Sequence, residues 1–235
     1  ESLENAGIEP RYIGKRHPSG TYYRSRAEIK NGDWPYRTDW TKYVFRQPSV
    51  TQDYNVGVEG GNKNGRYYIS LGYLDAQGMQ VGDDYDKIAL DLTYDHRVSE
   101  KLGIKTMAGL WKANRNFNYG MNYSRNPLFP VYNGDGSYYK MNQQDYGNVV
   151  AMTNERVSKA SNMDGYATLE MNWEVLKGLQ LVLRGNARAG SSNNFTFNPP
   201  VYTFPGDLYN GEGGMGSSNY LNITSDAYLT YAKKI

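Results

Sequence analysis

The feature that most constrains this chain is an alternation of apolar and polar residues with a period of two, recurring in segment after segment. Its clearest instance sets Ile88, Leu90, Leu92 and Tyr94 against Lys87, Ala89, Asp91, Thr93 and Asp95. A β-strand points successive side chains to opposite faces, so this segment has one apolar face and one face carrying carboxylates. Such carboxylates are costly in a dry core and natural beside water. The pattern returns in Tyr54, Val56 and Val58 against Asn55, Gly57 and Glu59, and in Tyr67, Ile69, Leu71 and Tyr73 against Arg66, Tyr68, Ser70 and Gly72. It continues with Leu102, Ile104, Thr106, Ala108 and Leu110 against Gly103, Lys105, Met107, Gly109 and Trp111. Later, Ala167, Leu169, Met171, Trp173 and Val175 oppose Tyr166, Thr168, Glu170, Asn172 and Glu174. Leu179, Leu181, Leu183, Ala187 and Ala189 then oppose Gln180, Val182, Arg184, Asn186 and Arg188, and a last strand shares Leu221, Ile223, Ala227, Leu229 and Tyr231 on one face. About seven strands result, with Ile88, Leu90, Leu92, Leu102, Ile104, Leu110, Leu169, Met171, Leu181 and Leu183 expected on one common lipid-side face.

The connections between these strands alternate in length. Gly60–Gly65, Ser99–Lys101 and Lys177–Gly178 are short, Asp75–Asp84 is intermediate, and Asn114–Met163 and Ser191–Ser218 are long. The glycines of Gly60–Gly65 are expected to supply the positive φ angles of a reversal. Tight turns at one rim and long loops at the other are the habit of an up-and-down membrane barrel. About seven strands are fewer than the smallest single-chain barrel uses, and an open edge in lipid leaves backbone groups unsatisfied. The fold class expected is therefore all-β: an antiparallel up-and-down meander forming an incomplete segment of a large transmembrane β-barrel with long extracellular loops.

Composition agrees with that reading. The chain of 235 residues has 23 Tyr, 26 Gly and no Cys, with a mean hydropathy of −0.75. No apolar run reaches the ~18 residues of a membrane helix, but barrel strands show lipid only every second residue. A formal charge of +2 with interspersed signs gives no basic stripe for nucleic acid. The opening ESLENAGIEP has no signal-peptide pattern, and the closing LTYAKKI reads as a truncation where a strand enters a turn. Residues 1–37 read as an irregular lead-in, and 38–235 as a partial barrel from which the plug and remaining strands are absent. Within it, Trp40, Tyr43 and Val44 have the spacing of a short helix capped by Thr38 or Asp39.

Several motifs stand in a fixed order: TDW at Thr38, YNVGVEGG at Tyr54, RYYISLGYLDAQG at Arg66, YDKIALDL at Tyr85, Asn126-Pro127, PVYNGDGSY at Pro130 and LEMNWEVLKGLQL at Leu169. Together they resemble the early barrel of the SusC/RagA family of TonB-dependent outer-membrane transporters, over nearly everything after about Trp34. The resemblance implies a barrel of twenty-two strands with an N-terminal plug, neither complete here. It also implies residence in the bacterial outer membrane and import of an oligosaccharide or peptide. The implied partners are a SusD-like surface lipoprotein acting as a lid, and TonB, which would act through a plug region not matched in this chain. No organic cofactor is implied.

Catalysis finds little footing. His17 and His96 are isolated and Cys is absent, so no nucleophile pair or zinc cluster has suitable spacing, and no enzymatic role is expected. Asp83, Asp84 and Asp86 read as a solvated loop tip, and Asn133-Gly-Asp-Gly-Ser as a turn, because position twelve of a calcium loop would fall on Gln144. Tyr54, Tyr73, Tyr94, Trp173 and Tyr231 end the apolar faces, where an aromatic girdle belongs. The candidate substrate-binding residues are Tyr119, Tyr123 and Tyr132 in the first long connection, and Trp111, Arg184 and Arg188 on the inner parity of the strands. Flat aromatic faces among Asn and Gln suit sugar rings or extended peptides. Readings from other classes are a soluble all-β carbohydrate-binding module, which stays soluble without detergent, and a structural or adhesin barrel, whose reading frame encodes no plug.

Overall fold

The computed structural model describes residues 15–16, 22–23, 36–118, 125, 127, 129–139, 147–199 and 211–232. In chain order the elements are β1 (Lys15–Arg16), β2 (Tyr22–Tyr23), α1 (Thr41–Val44), β3 (Thr51–Asn62), β4 (Gly65–Gln77), β5 (Asp84–Arg97), β6 (Leu102–Asn116), α2 (Val149–Glu155), β7 (Val157–Leu176), β8 (Leu179–Asn198) and β9 (Glu212–Tyr231). β1 and β2 form a two-residue antiparallel ladder within the stretch read as a lead-in. The other strands make one seven-stranded sheet in sequence order, β3 through β9, with neighbours antiparallel in every register from β3 to β8. This is the expected unclosed meander.

The register lines up the apolar parities across strands. Leu71 faces Val56 on one side and Leu90 on the other, and Leu90 faces Leu110. Ile104 faces Met171, Met171 faces Leu183, Leu102 faces Trp173, and Trp173 faces Leu181. Because a slip of one residue would exchange the faces of a whole strand, these pairings fix a single apolar face. Tyr54, Tyr73, Tyr94, Trp173 and Tyr231 are all exposed on it.

Three local expectations change. Gly60, Gly61 and Gly65 do not take positive φ angles; the turn is Lys63–Asn64, with the Asn62 side-chain oxygen accepting from the Asn64 and Gly65 amides. The glycines are needed for close approach: a Cβ on Gly61 would lie 2.4 Å from the Gly65 carbonyl oxygen, and one on Gly60 would meet the Tyr67 ring. The strands also run further than their alternation, so the long connections shrink to the stretches between Asn116 and Val157 and between Asn198 and Glu212. The extensions open on stretches that are mostly polar on both faces, Ser158–Asn162 and Gly190–Asn194, where no period of two is marked; the alternation returns only in Phe195 and Phe197 at the end of β8. Finally, α1 has no side-chain cap on its N-cap residue Trp40; Asp39 accepts instead from the amide and hydroxyl of Thr41.

The chain divides into two compact units. Arg46–Tyr119, Val157–Phe197 and Gly213–Ile235 make the sheet unit, and Glu1–Phe45, Gly120–Arg156 and Asn198–Glu212 make the other. The second unit has its own small core, Trp40, Val44, Val131, Val149 and Val150, with Phe45, Phe129, Tyr138, Tyr139 and Met152 packed against it. Asn148, 1% exposed, ties this core together. Its oxygen accepts from the Val150 and Ala151 amides to cap α2, while its nitrogen donates to the Val131 and Tyr139 carbonyls.

Candidate functional site

The face of the sheet opposite the apolar one is polar and cross-linked. Arg188 Nε donates to Asp164 at 3.0 Å, and Arg184 donates through two nitrogens to Glu170, at 2.9 and 2.6 Å. Thr168 bonds Asn186, the Tyr166 hydroxyl donates to Asp91 at 3.2 Å, and Arg66 pairs with Asp95. The Lys87 ammonium lies over the Trp111 ring, 5.4 Å from its centroid. Each contact joins residues of the polar parity on neighbouring or next-neighbouring strands, which is what the register requires.

Two ranks of this face hold the chemistry. In one, Ala89, Trp111, Asp164 and Gly190 are successive cross-strand partners; in the next, Asp91, Gly109, Tyr166 and Arg188 are. The glycines set the relief. A Cβ on Gly109 would lie 2.4 Å from Cε1 and 2.9 Å from Cζ of Tyr166, and one on Gly190 would lie 2.6–2.8 Å from Cε1, Cζ and the hydroxyl of Tyr220. Atoms of both rings therefore occupy space over bare backbone that a Cβ would take, yet the two residues stay 37% and 42% exposed. Asp164 is buried at 5%, and the Arg188 guanidinium clamps it in place.

Of the residues singled out in the sequence, Trp111, Arg184 and Arg188 thus share this face, with Trp111 and Arg188 linked through Asp164. Tyr119 and Tyr123 lie outside the described residues. Tyr132 belongs to the other unit, where its ring sits 5.2 Å from that of Tyr138 and the pair bridges a short hairpin. Burial, with smaller contributions from Tyr138 and Tyr43, raises the Tyr132 hydroxyl above its ordinary pKa. The Asn133–Ser137 stretch is a turn as expected: Asn133 N donates to the Ser137 carbonyl and Gly136 has φ +85°. Asp135 accepts from the Ser137 hydroxyl and amide, which hold its carboxyl below the usual range. Thr41 does the same for Asp39. Sequence reading missed Asp164, Tyr166, Glu170 and Tyr220 as members of the polar site. Their parity was visible, but their partners were not.

A meander with one apolar face, one ionic face and two open edges has the fold of a barrel-wall segment. Comparison with known proteins places it more narrowly. No protein-family model matches the chain. It is 24% identical over 227 residues to TonB-dependent receptor P3 of Formosa agariphila, covering 90% of this chain and 22% of that protein. It is 23% identical over 253 residues to TonB-dependent receptor SusC of Bacteroides thetaiotaomicron, covering 92% of this chain and 25% of that one. Among solved structures, the RagAB peptide importer in its closed-closed state superposes with a TM-score of 0.69 at 17% identity, over 85% of this chain and 24% of the other. The resemblance to SusC/RagA-type TonB-dependent receptors is thereby shown, and the chain matches a partial region of such proteins, about a quarter of their length.

Proposed function

We propose that this chain is part of the barrel wall of a TonB-dependent nutrient importer in the bacterial outer membrane, taking up an oligosaccharide or a peptide. The observation that carries the reading is the two-faced sheet: register aligns leucine, isoleucine and valine on one face while arginine, aspartate and glutamate pair on the other. Lipid outside and water inside is the environment that suits both. The relatives support the function class, being named TonB-dependent receptors. A SusD-like surface lipoprotein and TonB are the partners proposed for the whole protein. Its action is binding and passage, without catalysis. Trp111, Arg184 and Arg188 on the wall, and Tyr119, Tyr123 and Tyr132 in the connection, are the side chains proposed to meet substrate.

The test uses the full-length parent. Its deletion should abolish growth on one polymeric nutrient as sole source, and the protein should fractionate with outer membranes and require detergent for extraction. Recovery as a soluble protein without detergent would favour a carbohydrate-binding module, and unchanged growth on every glycan and peptide source would favour a structural barrel.

A further inference from the structure

We infer that the short-turn rim of the sheet, fringed by Lys63, Lys101 and Lys177, is a docking surface for the phosphate headgroups of an anionic phospholipid. The inference rests on the apolar face being the one that meets lipid, and it concerns the outside of the wall, not the path through it.

The first argument is place. The three short connections, Lys63–Asn64, Val98–Lys101 and Lys177–Gly178, join β3 to β4, β5 to β6 and β7 to β8, so the meander brings them to one end of the sheet. Each contains one lysine, and all three lysines are exposed. Tyr67, Tyr94 and Trp173 stand just inside them, at the aromatic end of the apolar face. Lys63 is four residues from Tyr67 and Lys177 four from Trp173, about 13 Å along a strand and roughly 10 Å in height at the tilt of a barrel. The headgroup layer is roughly 5–8 Å deep on each side of a bilayer, and a lysine stem reaches back toward it along apolar surface. Val98 and Leu176, 49% and 64% exposed beside the turns, supply that surface.

The second argument is charge. None of the three ammonium groups has an ionic partner among the described residues. Of the carboxylates at this end, Asp95 pairs with Arg66 at 3.2 Å and Glu174 accepts from the Gly178 amide, which leaves Glu100 against the lysines. The other end of the same face is balanced. There Lys112 and Lys159 on the apolar parity, with the Arg46 that clamps Asp84 at 2.7 Å, stand against Asp75, Asp84 and Asp86. An anionic bilayer is thus drawn to one end only. A phosphate diester is the anion a phospholipid places at this depth, and each lysine beside such a surface strengthens binding about fivefold.

The third argument is an unmet polar group at the same level. His96 follows Tyr94 on the apolar parity, and the two rings stack with 5.7 Å between centroids and 11° between planes. Gly65 on the neighbouring strand makes room for this, since a Cβ there would lie 3.2 Å from His96 Nδ1. Nδ1 is buried, and neither ring nitrogen has a hydrogen-bond partner among the described residues. An imidazole there needs an acceptor for its N–H, and a headgroup phosphate offers one that hydrocarbon does not.

The experiment reconstitutes the full-length parent in phosphatidylcholine bilayers that carry a trace of a photoactivatable phosphatidylglycerol or of a phosphatidylcholine with the same chain, and maps the labelled peptides by mass spectrometry. At low salt the phosphatidylglycerol should label the peptides of Val98 and Leu176 about fivefold more than the phosphatidylcholine, and high salt should shrink the excess. Lys63→Gln, Lys101→Gln and Lys177→Gln together should abolish it, and the same three positions changed to Arg should keep it. Lys112→Gln, at the other end, should leave it unchanged, and heat-modifiable mobility shows that each variant is folded. Equal labelling by the two lipids, an excess that survives the triple glutamine variant, or an excess centred on Lys112 would overturn the inference. So would a growth defect of the triple variant with labelling unchanged, which would give the rim to a soluble partner instead. The same maps test the barrel wall separately: if phosphatidylcholine labels neither Leu90 nor Leu110 the wall itself is refuted, whereas a labelled wall without the excess refutes only the rim.

Discussion

Placing one arginine on each face of β5 tests the central assignment. Leu90 sits in the middle of the apolar parity, flanked along the strand by Ile88 and Leu92 and across it by Leu71 and Leu110. From Ile88 to Tyr94 the apolar stretch spans about 20 Å along the strand at ~3.3 Å per residue, so Leu90 lies well inside the hydrocarbon if that face meets lipid. Arginine near the midplane of a barrel's lipid face costs about 2–4 kcal/mol, a factor of roughly thirty to several hundred in the folding equilibrium. Ala89→Arg puts the same charge one residue away, on the face carrying Asp91, and should cost less than about 1 kcal/mol. The assay is refolding of the full-length parent from urea into lipid vesicles, followed by heat-modifiable gel mobility, with Leu90→Ala as the control for lost apolar contact. Equal costs for Leu90→Arg and Ala89→Arg, or a larger cost for the second, would refute the assignment of faces.

Asn148→Ala removes the cap of α2 and both side-chain donors to Val131 and Tyr139; a local loss of about 2–4 kcal/mol is expected. Hydrogen exchange should then rise in Val149–Glu155 and leave β6 and β7 unchanged, and unaltered α2 protection would contradict the role given to Asn148. Arg184→Ala breaks a half-exposed ion pair with Glu170 and should cost under about 1 kcal/mol, less at high salt; a larger, salt-independent loss in urea unfolding would mean the pair is buried by something further. For Asp135 the folded pKa is the lower one, so its contribution to the turn is complete above the ordinary carboxylate range of about 4 and is lost only as pH falls through that lower value. Ser137 amide protection should follow this course, and Asp135→Asn should remove it; a transition between pH 8 and 6 would contradict it.

What the sequence determined by itself is which face each strand residue occupies, because alternation follows from the covalent geometry of an extended chain and needs no knowledge of neighbours. Ile88 and Asp91 were assigned to opposite faces on parity alone, and the meander followed from turn spacing. Partnership was decided only by the tertiary structure. Tyr166 reaches Asp91 across 75 residues of chain and Arg188 reaches Asp164 across 24, and nothing local distinguishes these acids from Asp95 or Glu174. The second unit's assembly was equally hidden: α2 is too short for a period to emerge, and although the spacing of Trp40, Tyr43 and Val44 marked a short helix, nothing in it told that Val44 joins Val131 and Val149 in one core. Even the glycines changed meaning. In the sequence Gly109 was a gap in an alternation and Gly190 lay just past the last alternating residue, and only the neighbouring strands show that tyrosine ring atoms fill the space a Cβ would take at each.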